Sequence, residues 1–276
     1  MPVSGTLERP TREQLVRVQY ADAQLVSDYA AAFGGWGPTA RYHHSRIHAV
    51  DQVLLGREGT LLDVGCGPGM MVEHLLDDRP GAFTVTGCDR SAAMVDAGRR
   101  RVGKEAIFAV GDIEEMPFAD GSFDTALAMG VLEYVDIVPA LREIARVVKP
   151  GGLAVVTMLS PRSPYRLVEW GMYWPARRVL GGLEQALHVP RRHDARRTGI
   201  EALTPRRLRH ELWRAGLQPV DTVFYDVTAL VPPLDRVVRR WDRRWRAHPE
   251  ATIARGAKGR LGTGYLIAAR RVDGSV

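Results

Sequence analysis

Glycine recurs at every second position in LLDVGCGPGM, residues 61–70, giving Gly65-x-Gly67-x-Gly69 directly after a short apolar run. Glycines carry no side chain to block a ligand that must approach the main chain closely. The spacing departs from the G-x-G-x-x-G of dinucleotide loops: Met70 stands where the third glycine would be, and Pro68 removes an amide donor that a pyrophosphate would use. Asp63, two residues before the first glycine, would repel an anionic phosphate and attract an ammonium or sulfonium. Asp89 in TVTGCDRS follows the loop by about 20 residues, the position from which a carboxylate accepts both hydroxyl hydrogens of a ribose. Asp112 in AVGDIEEMPF is placed to accept from the exocyclic amine of an adenine flanked by Ile113 and Met116.

Together these groups describe one ligand, with an adenine, a ribose diol and a positively charged amino-acid end. S-adenosylmethionine has that composition. Methyl transfer from a sulfonium is an in-line displacement, so the protein's main task is to align acceptor, methyl and sulfur with water excluded. A general base is needed only for an acceptor that must lose a proton, such as a hydroxyl or phenol. The candidates are His43, His44 and His48 in RYHHSRIH, Glu133 in VLEYVD, and His188 and His193 further on. Blander readings stand beside these: exposed helix residues for His43 and His44, a solvated or orienting residue for Glu133, and helix caps or turns for each aspartate taken singly. Cys66 reads as a small loop residue, since nothing near it in sequence would lower its thiol pKa.

Strands and helices must hold these residues in place. TLLDV, AFTVTGCD, EAIFAVGD, FDTALAMG and LAVVTML are short apolar runs, with MMVEHLLDD, SAAMVDAGRRRV and IVPALREIARVV as intervening helices. Such alternation indicates βαβ units and a parallel sheet covered on both faces. TPRRLRHELWRAG is a helix capped by Thr204, LQPVDTVFYDV and GTGYLIAAR are later strands, and PLDRVVRRWDRRWRAH between them is a basic helix. Helices are also expected over residues 11–33 and 40–55, and the alternation breaks for some 40 residues after residue 160. These outlying segments would cover the strand ends. They carry Tyr20, Tyr29, Trp36 and Tyr42 on one side and Tyr165, Trp170, Tyr173 and Trp174 on the other, suited to an apolar or ring-containing acceptor, or simply to packing a lid on the core.

Composition bounds the alternatives. The chain of 276 residues is 45% hydrophobic and 25% charged, suited to one main core. Its net charge is +6; almost all of the positive charge is arginine, the lysines being Lys104, Lys149 and Lys258, and reads as coding bias rather than a nucleic-acid surface. Trp241 and Trp245, four apart on the basic helix, suit packing against the core or, with the arginines, an anionic substrate group. Two cysteines exclude a disulfide framework, and no Cys/His cluster has metal-ligand spacing. No run approaches membrane-spanning length and the N-terminus lacks a signal-peptide core, so a cytoplasmic protein is expected; PYRLVEWGMYWPARRVLGGL keeps a lipid-like substrate open.

Four stretches, LLDVGCGPGM, GCDRSAAMVDAGRRR, GDIEEMPFADGSFDTALAMGVLEYV and LREIARVVKPGG, occur in order over residues 60–159. In this they resemble the class I S-adenosylmethionine-dependent methyltransferases of the small-molecule group that includes the ubiquinone/menaquinone enzymes. The resemblance implies an α/β, Rossmann-like sheet of seven mostly parallel strands with helices on both faces. Residues 1–56 would form an N-terminal helical cap, and 57–276 the cofactor domain with lid insertions near 160–203 and 228–260. It puts Asp63, Gly65, Cys66, Gly67 and Gly69 around the methionine part of the cofactor, Asp89 and Arg90 at the ribose and adenine edge, and Met94 under the adenine. Asp112 and Ile113 fall at the adenine amine, and Met129 and Gly130 face the amino group and the transferring methyl. The expected reaction methylates a C, O or N atom of a largely apolar or aromatic small molecule and leaves S-adenosylhomocysteine. The rival readings are a binding or regulatory module of the same fold without turnover, a nicotinamide-dependent reductase, and an RNA methyltransferase. The last is weakened by AMGVLE where an Asn/Asp-Pro-Pro-Tyr motif would stand. Homo-oligomerisation stays open.

Overall fold

The computed structural model describes residues 34–186, 200–232, 234 and 244–272. Its centre is a single sheet in the order β3-β2-β1-β4-β5-β8-β6-β7. The strands are β1 (Gly59–Val64), β2 (Phe83–Asp89), β3 (Ile107–Val110), β4 (Phe123–Ala128), β5 (Val148–Leu159), β6 (Leu217–Val227), β7 (Ile253–Ala254) and β8 (Gly262–Arg271). Strands β1 to β5 pair in parallel, while β8 runs antiparallel between β5 and β6. The sheet thus has eight strands where seven are expected, the extra one being the two-residue edge strand β7, too short for side-chain alternation to reveal. Because the chain runs outward from β1 to β3 and then returns to β4 beside β1, a crevice opens at the carboxyl ends of β1 and β4, where ligands bind in open α/β sheets.

Helix α1 spans Pro38–Val53, α2 Met70–Asp78, α3 Ala92–Val102 and α4 Ile137–Val147. Beyond β5 come α5 (Pro164–Val168), a π-helical turn (Glu169–Tyr173), α6 (Trp174–Ala186), α7 (Pro205–Arg214) and the short α8 (Arg244–Ala247). Local chemistry sets several starts: Ser91 accepts from Met94 N at 3.4 Å, Asp136 from Val138 N at 3.1 Å, and Thr204 from Arg207 N at 3.4 Å with Pro205 in the first turn. Neighbouring strand residues face opposite sides, so Leu62 and Val64 join an apolar cluster with Leu141, Ile144 and Leu212. Leu61 joins a second cluster with Val50, Leu54, Val72 and Leu75. Both faces being covered explains why the strands read as continuous apolar runs.

The expected helix over 11–33, with Tyr20 and Tyr29, lies outside the described residues, as do His188, His193, Trp241 and most of the basic helix. No helix among the described residues is long and apolar enough to cross a membrane.

Candidate active site

The glycine loop turns sharply between β1 and α2, with φ of +67° at Gly65, +52° at Gly67 and +76° at Gly69. A Cβ on Gly65 would strike Val131, whereas one on Gly67 would meet open space. Asp89, ending β2, fixes the turn: Gly67 N donates to its Oδ2 and Ser91 N to its Oδ1, each at 2.9 Å. Burial raises the Asp89 pKa while these two amides pull it back. Above the turn lies a cavity of about 310 Å³. One half is walled by Gly65, Gly67, Asp89, Arg90, Met94 and Ile113, and Met129 and Gly130 at the end of β4 adjoin it.

Asp63 does not line this cavity; its neighbours Val64 and Gly65 do. Its carboxyl is 1% exposed beneath the loop, and burial pushes its pKa up to about 7, with Arg46 drawing it down and Asp89 pushing it further up. Its Oδ1 has no hydrogen-bond partner among the described residues. A buried acceptor with nothing to accept is costly, and a cation entering the cavity would relieve it.

The other half is polar. Tyr42, His43 and Arg46 enter from α1, Glu133 from the 3-10 turn Leu132–Tyr134, and Arg166 from α5. Both guanidiniums lie against the Tyr42 ring, 5.6 Å and 5.7 Å from its centroid. Arg46 packs on the open face of Gly130 and its Nη2 is 3.2 Å from His43 Nδ1. Burial, Arg46 and His44 lower the His43 pKa to about 2, leaving a neutral imidazole. Glu133 is 2% exposed, accepts from Leu159 N at 3.0 Å and has its pKa raised by burial.

Several expected residues have other neighbours. His44 lies on the far side of α1 with its ring 5.3 Å from that of Trp245, because successive helix residues point about 100° apart and His43 already faces the cavity. Cys66 is buried under the loop, its thiol pKa pushed up by burial. Gly69 starts α2 and packs on Gly98 and the Phe108 ring, a ring that also fills the space beside Gly87; its freedom from a side chain serves packing. Asp112 accepts from Glu114 N at 3.2 Å and lines an adjoining depression that shares Arg90, Tyr134 and Val135 with the cavity.

The aromatics expected over the acceptor are mostly elsewhere. Trp36 is 48% exposed and stacks under Arg246, 3.9 Å from its ring centroid. Tyr165 is buried beside Arg166, Trp170 is 38% exposed, and Tyr173 and Trp174 pack with Arg177. Of the described set only Tyr42 lines the cavity. Arg46 and Arg166 were missed from sequence. Arg46 had a signal, three residues from His43 and four from Tyr42 on one helix face; Arg166 had none.

A cluster of Asp51, His74 and Asp78 lies outside the cavity, where α1 meets α2. His74 Nε2 is 2.5 Å from Asp51 and Arg79 Nε 3.5 Å, so these charges pair with one another.

Residues 62–156 match the family described as a methyltransferase domain. The ubiquinone/menaquinone biosynthesis C-methyltransferase of Geotalea daltonii is 34% identical over 121 residues, 42% of this chain and 52% of that protein. The chain therefore spans about half the length of that relative. The malonyl-[acyl-carrier protein] O-methyltransferase of Pseudescherichia vulneris is 30% identical over 213 residues, 74% of this chain and 76% of that protein. In fold, the chain is similar to a solved S-adenosylmethionine-dependent methyltransferase from Thermotoga maritima, with a TM-score of 0.58 at 19% identity over 92% of this chain and 99% of that one. With the ordered glycine loop, the clamping Asp89 and the parallel sheet that presents them, the chain belongs to the class I S-adenosylmethionine-dependent methyltransferases.

Proposed function

We propose that the chain transfers the methyl group of S-adenosylmethionine to a small-molecule acceptor, leaving S-adenosylhomocysteine. The observation that carries this reading is the cavity at the ends of β1 and β4, with glycine backbone on its floor and the half-buried Asp89 carboxylate at its wall. The unsatisfied Asp63 Oδ1 beneath the loop suits the cationic end of the donor. When bound, the sulfonium supplies an electrophilic methyl carbon.

The chain's own residues orient the two partners. In this reading the lone pairs of Asp89 not used by Gly67 and Ser91 accept from the ribose hydroxyls. Met94 and Ile113 flank the adenine, Arg90 borders it, and Asp112 accepts from its amine at the cavity mouth. Gly65, Gly67, Met129 and Gly130 leave room for the methionine portion, with Asp63 opposite its ammonium and Arg46 opposite its carboxylate. Alignment and water exclusion then carry most of the rate.

On the acceptor side, Val131, Val135, Leu159 and Ile200 offer an apolar wall, and His43 and Glu133 a polar end. An acceptor with an apolar body and one polar head fits this better than a purely aromatic one. With its pKa lowered to about 2, His43 orients the acceptor as a neutral hydrogen-bonding ring and is a poor proton acceptor. Glu133, whose burial favours taking up a proton, is the base wherever the acceptor is a hydroxyl. In this reading the expected cap and the insertion after β5 act on the acceptor through their described parts, α1 and α5, which supply walls of this half.

Titration calorimetry with S-adenosylhomocysteine tests the reading. Asp89→Ala removes a charged acceptor and should weaken binding by about 2 to 4 kcal/mol, roughly 30- to 1,000-fold. Unchanged affinity would show that the ribose is not held there. A chain that binds donor but turns over no acceptor would instead be a binding module of this fold.

A further inference from the structure

Two segments outside the βα units carry cavity walls: α1 with Tyr42, His43 and Arg46, and α5 with Arg166. Both are tied to one buried point where β6 ends beside the start of β8. Asp226, 2% exposed, accepts from Arg41 Nε at 2.5 Å, each side chain of this pair being 3% exposed. Its Oδ2 accepts from Thr263 Oγ1 at 2.5 Å, and Thr263 is fully buried. The Thr263 carbonyl accepts from Arg166 Nε at 3.4 Å and from Ser160 N at 3.0 Å. One residue before Asp226, the Tyr225 hydroxyl meets that of Tyr42 at 3.1 Å.

The backbone marks the same place. Asp226 has φ of +52° and is the one non-glycine residue with positive φ among the described residues. That conformation is disfavoured for any residue with a Cβ and persists where its surroundings over-determine it. In a regular strand Asp226 would face away from the side that Tyr225 faces. Leaving the extended conformation brings its carboxylate to α1, the helix that Tyr225 also contacts.

We propose that Asp226 is a positioning residue: its carboxylate, through Arg41 and Thr263, sets where α1 and α5 stand across the cavity, and with them Arg46 and Arg166. A buried ion pair that served stability alone would be replaceable by uncharged residues without changing ligand binding.

The inference rests on the donor-site reading, in which Arg46 faces the donor carboxylate. S-adenosylhomocysteine titration and amide hydrogen exchange of the full chain, at a temperature where every variant is folded, separate the two. Arg46→Ala should weaken binding about tenfold or more, and Asp226→Asn about tenfold, with the milder Thr263→Val losing about threefold. Exchange should rise in residues 38–53 and 164–168 while α4 stays protected. The double variant Arg41→Met with Asp226→Asn, which leaves no lone buried charge, should recover thermal stability but not affinity. Wild-type affinity in Arg46→Ala overturns the donor reading of Arg46, and the proposal is then decided by the exchange pattern alone. Asp226→Asn and Thr263→Val that bind within about twofold of wild type without local exchange changes overturn the proposal. Exchange rising equally in α4 also overturns it, as the mark of general destabilisation.

Discussion

Replacing Asp63 by asparagine should stabilise the ligand-free protein and weaken its hold on the donor. Burial raises the Asp63 carboxyl from the ordinary 3.8 to about 7, the net result with Arg46 and Asp89 in place. An acid whose folded pKa exceeds its unfolded value opposes folding once the unfolded chain ionises. The cost is absent below the unfolded pKa, grows from pH 3.8 to about 7 and is constant above that. At about 1.36 kcal/mol per unit, it amounts to about 1 to 2 kcal/mol at pH 5 and saturates at about 4 kcal/mol. Asparagine has no charge to desolvate, and any fixed cost of its amide is the same at both pH values. Relative to wild type, Asp63→Asn should therefore gain about 3 kcal/mol between about pH 5 and about pH 8. Urea unfolding of both proteins at the two pH values measures this, and the other titrating groups cancel in the difference. A stability difference independent of pH would refute the reasoning. Calorimetry at the higher pH should show the variant binding S-adenosylhomocysteine more weakly, so that saturating ligand narrows or reverses its advantage.

Two further outcomes follow from glycine geometry and core packing. Gly65→Ala combines a left-handed backbone with a collision at Val131 and should cost about 2 to 5 kcal/mol, whereas Gly67→Ala, facing open space, should cost only the about 1 to 2 kcal/mol of backbone strain. Equal midpoints of denaturation for the two would show that Val131 does not confine the turn. Phe108→Ala empties the slot formed by Gly69, Gly87 and Gly98 and should cost about 3 to 5 kcal/mol in chemical denaturation. A loss below about 1 kcal/mol would mean that the slot collapses without the ring.

The sequence by itself determined the parallel sheet and much of the donor side, because both are written locally. Alternation of apolar runs with helices is a property of neighbouring residues, and Gly65, Gly67, Asp89, Arg90, Met94 and Ile113 all sit within a few residues of a strand's carboxyl end, which the fold delivers to one crevice. Asp63 and Gly69 are in the same short stretch yet do not line the cavity: Asp63 is buried beneath the loop and Gly69 packs on Gly98 and Phe108. Of the polar half of the cavity, the sequence offered Tyr42, His43 and Glu133 among other candidates, but which of them face it, and with which partners, was decided only by the tertiary structure. The walls of that half come from α1, the turn after β4 and α5, brought together by contacts such as Arg41–Asp226, 185 residues apart. The aromatics of the lid sequence suggested an apolar pocket, but Trp36, Tyr173 and Trp174 pack against arginines outside the cavity, Trp170 packs on Arg166, and Arg46, Glu133 and Arg166 line the cavity in their place. A side chain's type is set by the sequence; which wall it faces depends on how helices dock on the sheet, and that docking is a sum of long-range contacts that no local pattern encodes.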